Sequence, residues 1–411
     1  MFFNILFFIY TFIYFPYLIL TGRWYTGYEA RLGFFSPALK ARIPACCSVW
    51  IHAVSVGEVV AVSGLIDKIK TRWPSRNIIL TTTTKTGYEL ACAKLGSTVV
   101  VIPSPLDFTF VVESFVRLIK PKIYIVAETE IWPNLFSCLH KNQIPLVIIN
   151  GRISDASLGR YKAIQFILKD VLDKVSLFCM QSQLNADRII ALGASPQKVI
   201  SLGNIKFDNV SSHQNETDVF MSMDRSLWIA GSTHPGEEEI ILKVYSKHKA
   251  SWRLVIAPRH VERSQEIITL IQAHGFKAIR FSEMPKDRLT DDSVIVVDTI
   301  GQLSFLYKQA SLVFVGKSLC GGGGQNIIEP AMYAKPIIVG PLMENFRDIA
   351  ALFNAQEAIV QVKDVAEFQA EVNRLMNDAS LREQLGQRAY KVVQDNQGAS
   401  QRILEKLEEW L

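Results

Sequence analysis

The chain has 411 residues, 49% of them hydrophobic and 20% charged, with 23 Gly and 16 Pro. That composition excludes wholesale disorder, collagen and low-complexity scaffolds, and the length suits two or more domains, each with its own core. The net charge of +5 conceals an asymmetry: residues 1–210 carry 22 Lys/Arg against 13 Asp/Glu, whereas 211–411 carry 22 against 26. A basic first half suits an anionic leaflet or an anionic lipid substrate. No dense Lys/Arg cluster interleaved with aromatics points to nucleic acid.

Residues 1–22 read as a membrane anchor. No charged side chain precedes Arg23, and nine of the first twenty residues are Phe or Tyr. Roughly 20 apolar residues are what a helix needs to cross a bilayer. A cleaved signal peptide wants a basic start and a small-x-small site, and neither is present. Pro16 and the interfacial tyrosines also suit a half-inserted helix. Arg23, Arg31, Lys40 and Arg42 follow the span, so the positive-inside rule places the body in the cytoplasm. The six cysteines contain no C-x-x-C, which suggests neither a zinc site nor a disulfide framework and fits a reduced compartment.

Short apolar runs then alternate with amphipathic stretches. Residues 48–54, 77–83, 97–103, 122–128 and 145–151 read as buried parallel strands. A second series follows at 227–232, 252–258, 293–298, 311–316, 336–340 and 358–362. Two such series predict two doubly wound, Rossmann-like α/β domains, 23–207 and 227–411, joined by the polar segment 208–226. From Asp378 the tail reads as helical, with Leu404, Leu407 and Leu411 on one face.

Ligands of open α/β sheets bind at the carboxyl ends of the strands. Ser55, Gly57 and Glu58 follow the first run, Thr83 and Thr84 end the second, and Glu128 and Glu130 close the fourth. In the second series Ser232, Thr233 and His234 end one strand, and Arg259 and His260 end the next. Two domains facing each other with these loops would enclose a central cleft. The sharpest feature is Gly321 to Gly324, ahead of Gln325, Asn326 and a helix holding Glu329. Such a loop brings backbone N–H groups to a phosphate. It is neither a P-loop nor a dinucleotide fingerprint. A carboxylate at Glu329 can accept two ribose hydroxyls, and Arg259 supplies a permanent charge for phosphate.

Nine segments carry a resemblance: Gly-Tyr-Glu-Ala-Arg-Leu-Gly (27–33), His-Ala-Val-Ser-Val-Gly-Glu (52–58), Thr-Thr-Thr-Thr-Lys-Thr-Gly (81–87), Glu-Thr-Glu-Ile-Trp-Pro-Asn (128–134), Asn-Gly-Arg-Ile-Ser (150–154), Gly-Asn-Ile-Lys-Phe-Asp (203–208), Ala-Gly-Ser-Thr-His (230–234), Ala-Pro-Arg-His-Val-Glu-Arg (257–263) and Gly-Gly-Gln-Asn-Ile-Ile-Glu-Pro-Ala (323–331). In this order they resemble the 3-deoxy-D-manno-octulosonic acid (Kdo) transferases over about residues 1–350. Two positions depart from the family's usual wording. Lys85 stands where Pro is common, and Lys317 stands in a loop often written Gly-Ser-Leu.

The resemblance implies an α/β protein of GT-B fold, an inverting glycosyltransferase with an N-terminal anchor in the inner membrane. It implies CMP-Kdo as donor, the lipid A precursor as acceptor and no metal or other cofactor. The sequence has no Asp-x-Asp, although Glu128-x-Glu130 could imitate one. By the same analogy the donor groups are Lys206, Ser232, Thr233, Arg259, His260, Gly322, Gly323, Gly324, Gln325, Asn326 and Glu329. Glu29 is the expected base, with Glu128 the runner-up or a group that orients Glu29. Ser55, Gly57, Glu58, Thr83, Thr84 and Glu130 are expected on the acceptor side. A soluble GT-B enzyme such as a sugar-nucleotide 2-epimerase is the alternative, and the anchor argues against it. A non-catalytic nucleotide sensor is a third reading. The intact carboxylates Glu29, Glu128 and Glu130 argue against that.

Overall fold

The computed structural model describes residues 28–44, 48–208, 225–284 and 293–411. The expected anchor at 1–22, Cys46, Cys47 and most of the expected linker at 208–226 lie outside the described residues. Among the described residues no helix is long and apolar enough to cross a membrane. The chain divides into two compact units, 1–209 with 396–411, and 210–395.

The first unit is built on a seven-stranded parallel sheet of β1 (Ser48–His52), β2 (Ile78–Thr82), β3 (Val100–Pro103), β4 (Pro121–Ala127), β5 (Leu146–Gly151), β6 (Leu177–Met180) and β7 (Val199–Ser201). Their order across the sheet is β3-β2-β1-β4-β5-β6-β7. Trp50 of β1 lies beside Tyr124 of β4, and Ile51 beside Ile125. The strands are nearly continuous apolar runs because both faces are covered. Trp50, Tyr124, Phe115, Phe136 and Phe178 fill one face. Val49, Ile51, Leu65, Ile66 and Ile125 fill the other.

The last helix, Ala399–Leu407, closes that second face. Ile403, Leu404, Leu407 and Leu411 pack with Leu65, Ile66, Ile69 and Ile205. Asp208 accepts the N–H groups of Gly398 (2.6 Å) and Ser400 (2.5 Å), which satisfies the helix start. Arg402 Nε donates to the Leu202 carbonyl at 2.9 Å. The sequence reading gave 227–411 to the second domain. Residues 396–411 belong instead to the first unit, because the apolar stripe of their helix has its partners there.

The second unit repeats the plan with β8 (Ser226–Thr233), β9 (Trp252–Pro258), β10 (Ala278–Arg280), β11 (Val294–Val296), β12 (Leu312–Val315), β13 (Ile337–Val339) and β14 (Val360–Gln361). All are parallel neighbours in the order β10-β11-β9-β8-β12-β13-β14. Trp228, Phe314 and Phe368 lie in its core, with the Phe314 and Phe368 rings 5.2 Å apart. Every expected strand overlaps an observed one. β6, β7 and β10 were not anticipated.

Candidate functional site

Each sheet has a point where its strand order reverses, β1/β4 in the first and β8/β12 in the second. At such a point the following loops part to opposite faces and leave a crevice for a ligand. The expected site residues gather at these two crevices.

In the first unit, Ser55 opens the helix Val56–Arg72 directly after β1. Its hydroxyl donates to Glu58 Oε1 at 3.0 Å, and Glu58 Oε2 accepts the Val54 N–H at 2.8 Å. The Glu58 carboxylate is thus folded back over the strand end, with exposed Gly57 beside it. Thr84 caps the helix Lys85–Leu95, accepting the Gly87 N–H at 3.1 Å, so Lys85 occupies the first helical position, where Pro is favoured. Thr83 Oγ1 and Ser104 Oγ are 3.0 Å apart.

Glu128, one residue past β4, has φ of 59°. A non-glycine residue in this left-handed region stores strain, and such strain gathers at functional sites. Its Oε1 lies 3.1 Å from Lys206 Nζ. Lys206, expected on the donor side, is thus bonded to a residue of the first unit's crevice. Burial pushes the Glu58 carboxyl up to about 7, and the charges of Glu128 and Glu130 add to that. Glu130 is raised by burial and by Glu128. The carboxylates of Glu58, Glu128 and Glu130 and the Lys206 ammonium are therefore grouped here. Asp107, not singled out from sequence, fixes the next helix by accepting the Asn134 (3.0 Å) and Leu135 (2.8 Å) N–H groups. Its burial raises it to about 7.

Glu29 lies in the 3-10 helix Tyr28–Leu32 and is exposed. That helix is pinned to the carboxyl end of the same sheet, since Arg31 Nε donates to the Ser104 carbonyl at 3.0 Å and the Arg31 carbonyl accepts the Leu106 N–H at 2.9 Å. Among the described residues the Glu29 carboxylate makes no hydrogen bond or ion pair with Glu128 or another side chain, so the structure supplies no orienting bond from Glu128.

In the second unit, Ser232 (φ 55°), one residue before the end of β8, and Lys317 (φ 58°), two residues past β12, share the same left-handed conformation. The family's usual Gly would adopt it without strain at position 317. Arg259 and His260 are exposed at the end of β9, and the His234 and His260 rings stand 6.0 Å apart, edge to face. Asn326 Nδ2 donates to Glu329 Oε1 at 3.1 Å, while Asn326 Oδ1 accepts the Ile328 N–H at 3.1 Å. The Thr233 hydroxyl turns inward and donates to buried Glu238 at 2.8 Å. Arg263 Nη1 reaches the same Glu238 oxygen at 2.8 Å and holds the turn that follows Arg259 and His260.

Sequence reasoning missed what lies beneath the glycine loop. Glu237, fully buried, accepts five backbone N–H groups. These come from Lys317 (2.8 Å) and His234 (2.9 Å) on Oε2, and from Ser318 (3.0 Å), Leu319 (3.0 Å) and Cys320 (3.3 Å) on Oε1. Gly316 permits this approach, because a Cβ there would stand 2.8 Å from Glu237 Oε2 and 2.6 Å from the Ser232 carbonyl. All four loop glycines have positive φ. Two of their N–H groups have internal acceptors: Gly323 donates to Glu344 at 2.7 Å and Gly324 to the Lys317 carbonyl at 2.8 Å. Among the described residues the N–H groups of Gly321 and Gly322 carry no such acceptor. The run of three acids at 237–239 was the available signal, but a first-turn acid is also what a helix dipole favours.

Residues 26–209 match a family model described as 3-deoxy-D-manno-octulosonic-acid transferase (kdotransferase), and 228–392 match one described as glycosyl transferases group 1. A 3-deoxy-D-manno-octulosonic acid transferase of Haemophilus influenzae is 35% identical over 93% of this chain and 90% of its own length. One from Rickettsia felis is 30% identical over 88% and 79%. A bifunctional glycosyltransferase/methyltransferase of Fusobacterium nucleatum is 35% identical over 82% of this chain, which spans 54% of that longer protein. The UDP-GlcNAc 2-epimerase of Neisseria meningitidis, bound to UDP-GlcNAc, superposes with a TM-score of 0.61 over 88% of this chain and all of its own, at 13% identity. That likeness bears on the fold alone, which is GT-B-like.

Proposed function

Because the chain belongs to the 3-deoxy-D-manno-octulosonic acid (Kdo) transferase family, we propose that it transfers Kdo from CMP-Kdo to the acylated, phosphorylated glucosamine disaccharide precursor of lipid A, with inversion at the anomeric carbon. The observation that carries this reading is family membership across both units, with polar and charged residues at both strand-order reversals. The second unit offers Ser232, Arg259, His260, the loop Gly322–Asn326 and Glu329 to the donor. Arg259 and the loop N–H groups would stabilise the phosphate of the leaving CMP. The first unit offers Ser55, Glu58, Thr83, Thr84, Glu128 and Glu130 to the sugar hydroxyls of the acceptor.

The attacking acceptor hydroxyl must lose a proton. Glu29 is the proposed base: it is exposed at the carboxyl end of the first sheet and follows the proposed anchor within a few residues. The reading needs no metal. Lys206 already neutralises Glu128, which disfavours a divalent cation at Glu128-x-Glu130. We further propose that residues 1–22 anchor the chain in the inner membrane with the rest cytoplasmic, on the strength of the uncharged aromatic run and its basic flank. Deleting residues 1–20 should release the protein from membranes and leave turnover on detergent-dispersed acceptor largely intact.

Mixing CMP-Kdo with purified lipid A precursor tests the reaction. CMP release, with a product heavier by Kdo in the mass spectrum, supports it. An epimerase gives neither, and that result would end this reading.

A further inference from the structure

We infer that Glu237 is a positioning residue for the donor site, setting the conformation of the β12 loop from beneath it. The proposal deepens the function above and rests on that reading for its nucleotide ligand.

Glu237 is the first residue of the helix Glu237–Tyr245 and has no exposed surface. A buried carboxylate carries a large desolvation cost unless hydrogen bonds compensate for it. Here both oxygens are compensated by backbone N–H groups drawn from two chain segments, His234 after β8 and Lys317 to Cys320 after β12. Four successive N–H groups pointing one way make a concavity that binds anions. In this protein the anion in it is Glu237. The loop therefore leaves β12 with its direction fixed, and Lys317 is held at φ 58° despite its side chain. Gly321 to Gly324 start at the next residue, so Glu237 fixes where the glycine loop begins, while Glu344 holds it at Gly323. The same carboxylate ties in the turn that follows Ser232. Hence one side chain, itself hidden from any ligand, registers two of the proposed donor-binding segments against each other.

Glu237→Gln removes the charge and keeps the shape. Whichever way its amide turns, an NH2 group faces two or three N–H donors that have lost their acceptor. Glu237→Asp keeps the charge and is the partial rescue. It also keeps the question open to measurement if the Gln variant does not fold.

Amide hydrogen exchange on the ligand-free protein reads the hold itself. Exchange over 317–324 should quicken about tenfold or more in Glu237→Gln, less in Glu237→Asp, and stay unchanged in β9. Unchanged exchange over 317–324 in both variants would overturn the inference whatever the substrate is. Calorimetry with CMP reads the consequence. Affinity should fall about tenfold in folded Glu237→Gln and partly recover in Glu237→Asp, with the KM for the acceptor unmoved. A role in stability alone would lower the melting temperature and leave CMP affinity intact in the folded variants, which defeats the proposal. Wild-type protein that fails to bind CMP would instead defeat the proposed function, and the exchange result would still decide the role of Glu237.

Discussion

The Lys206 ammonium lies 3.1 Å from Glu128 Oε1, and the two side chains are only about a quarter exposed. This pair joins a strained residue after β4 to a turn that follows β7. It also bonds an ammonium into the crevice that carries Glu58, Glu128 and Glu130. Lys206→Met should therefore leave Glu128 uncompensated. Stability should fall by about 1–3 kcal/mol, between the values for exposed and buried pairs. The acid limb of the pH–rate profile should move to higher pH, because the freed Glu128 charge raises its neighbours further. A wild-type profile in the variant would show that the pair does not govern the crevice.

Stability should depend on pH through Glu58 and Asp107. Their carboxyls rise from ordinary values of 4.5 and 3.8 to about 7 in the folded chain. Across that interval the folded chain binds more protons than the unfolded one. Each group's stabilisation is thus complete below its unfolded value and is lost as pH climbs towards 7. The loss is at most roughly 3 kcal/mol for Glu58 and roughly 4 kcal/mol for Asp107. Urea midpoints should drop between pH 5 and 7.5, and Glu58→Gln should flatten part of that slope. An equal slope in wild type and variant would remove Glu58 from the account.

Glu29→Gln keeps the shape and removes the basicity. Turnover should fall by ~10²–10⁴-fold, the usual share of general acid–base catalysis, with CMP and acceptor binding nearly unchanged. Near-normal turnover would transfer the role to Glu128. Lost acceptor binding would make Glu29 a binding residue.

Arg259→Ala should weaken CMP binding by about 1.5–3 kcal/mol, the range for a hydrogen bond to a charged group. Glu329→Ala should weaken CMP more than it weakens the 2′,3′-dideoxy analogue. Calorimetry that finds CMP affinity unchanged in both variants would displace the donor from this end of the second sheet.

Most of the fold was legible because parallel strands covered on both faces are written as unbroken apolar runs, as in Val49-Trp-Ile51 or Ile123-Tyr-Ile-Val126. The unanticipated strands lack that signature. β7 and β10 have no fully buried position, and β6 is a short Leu-Phe-Cys-Met run with no β-branched residue. The residues at the strand ends were legible for the same reason, since a strand's end also marks where its loop begins. Tertiary partners were not. Nothing local joins Lys206 to Glu128 across 78 positions, or Glu237 to the loop some 80 residues later. The tail was read as helical with the correct buried face, Leu404, Leu407 and Leu411, but amphipathicity does not say which core that face will meet.

The return of residues 396–411 to the first unit makes that unit discontinuous in the chain. During synthesis its sheet emerges first, yet the apolar surface of Leu65, Ile66 and Ile69 waits for Ile403, Leu404 and Leu407, which are made only after the whole of the second unit. The first unit therefore cannot mature before the second has been made, and each nascent chain must keep that surface from aggregating until the helix Ala399–Leu407 has emerged. Removing Ile403, Leu404 and Leu407 would uncover Leu65, Ile66 and Ile69 in the core of the first unit, more than 300 positions earlier in the chain.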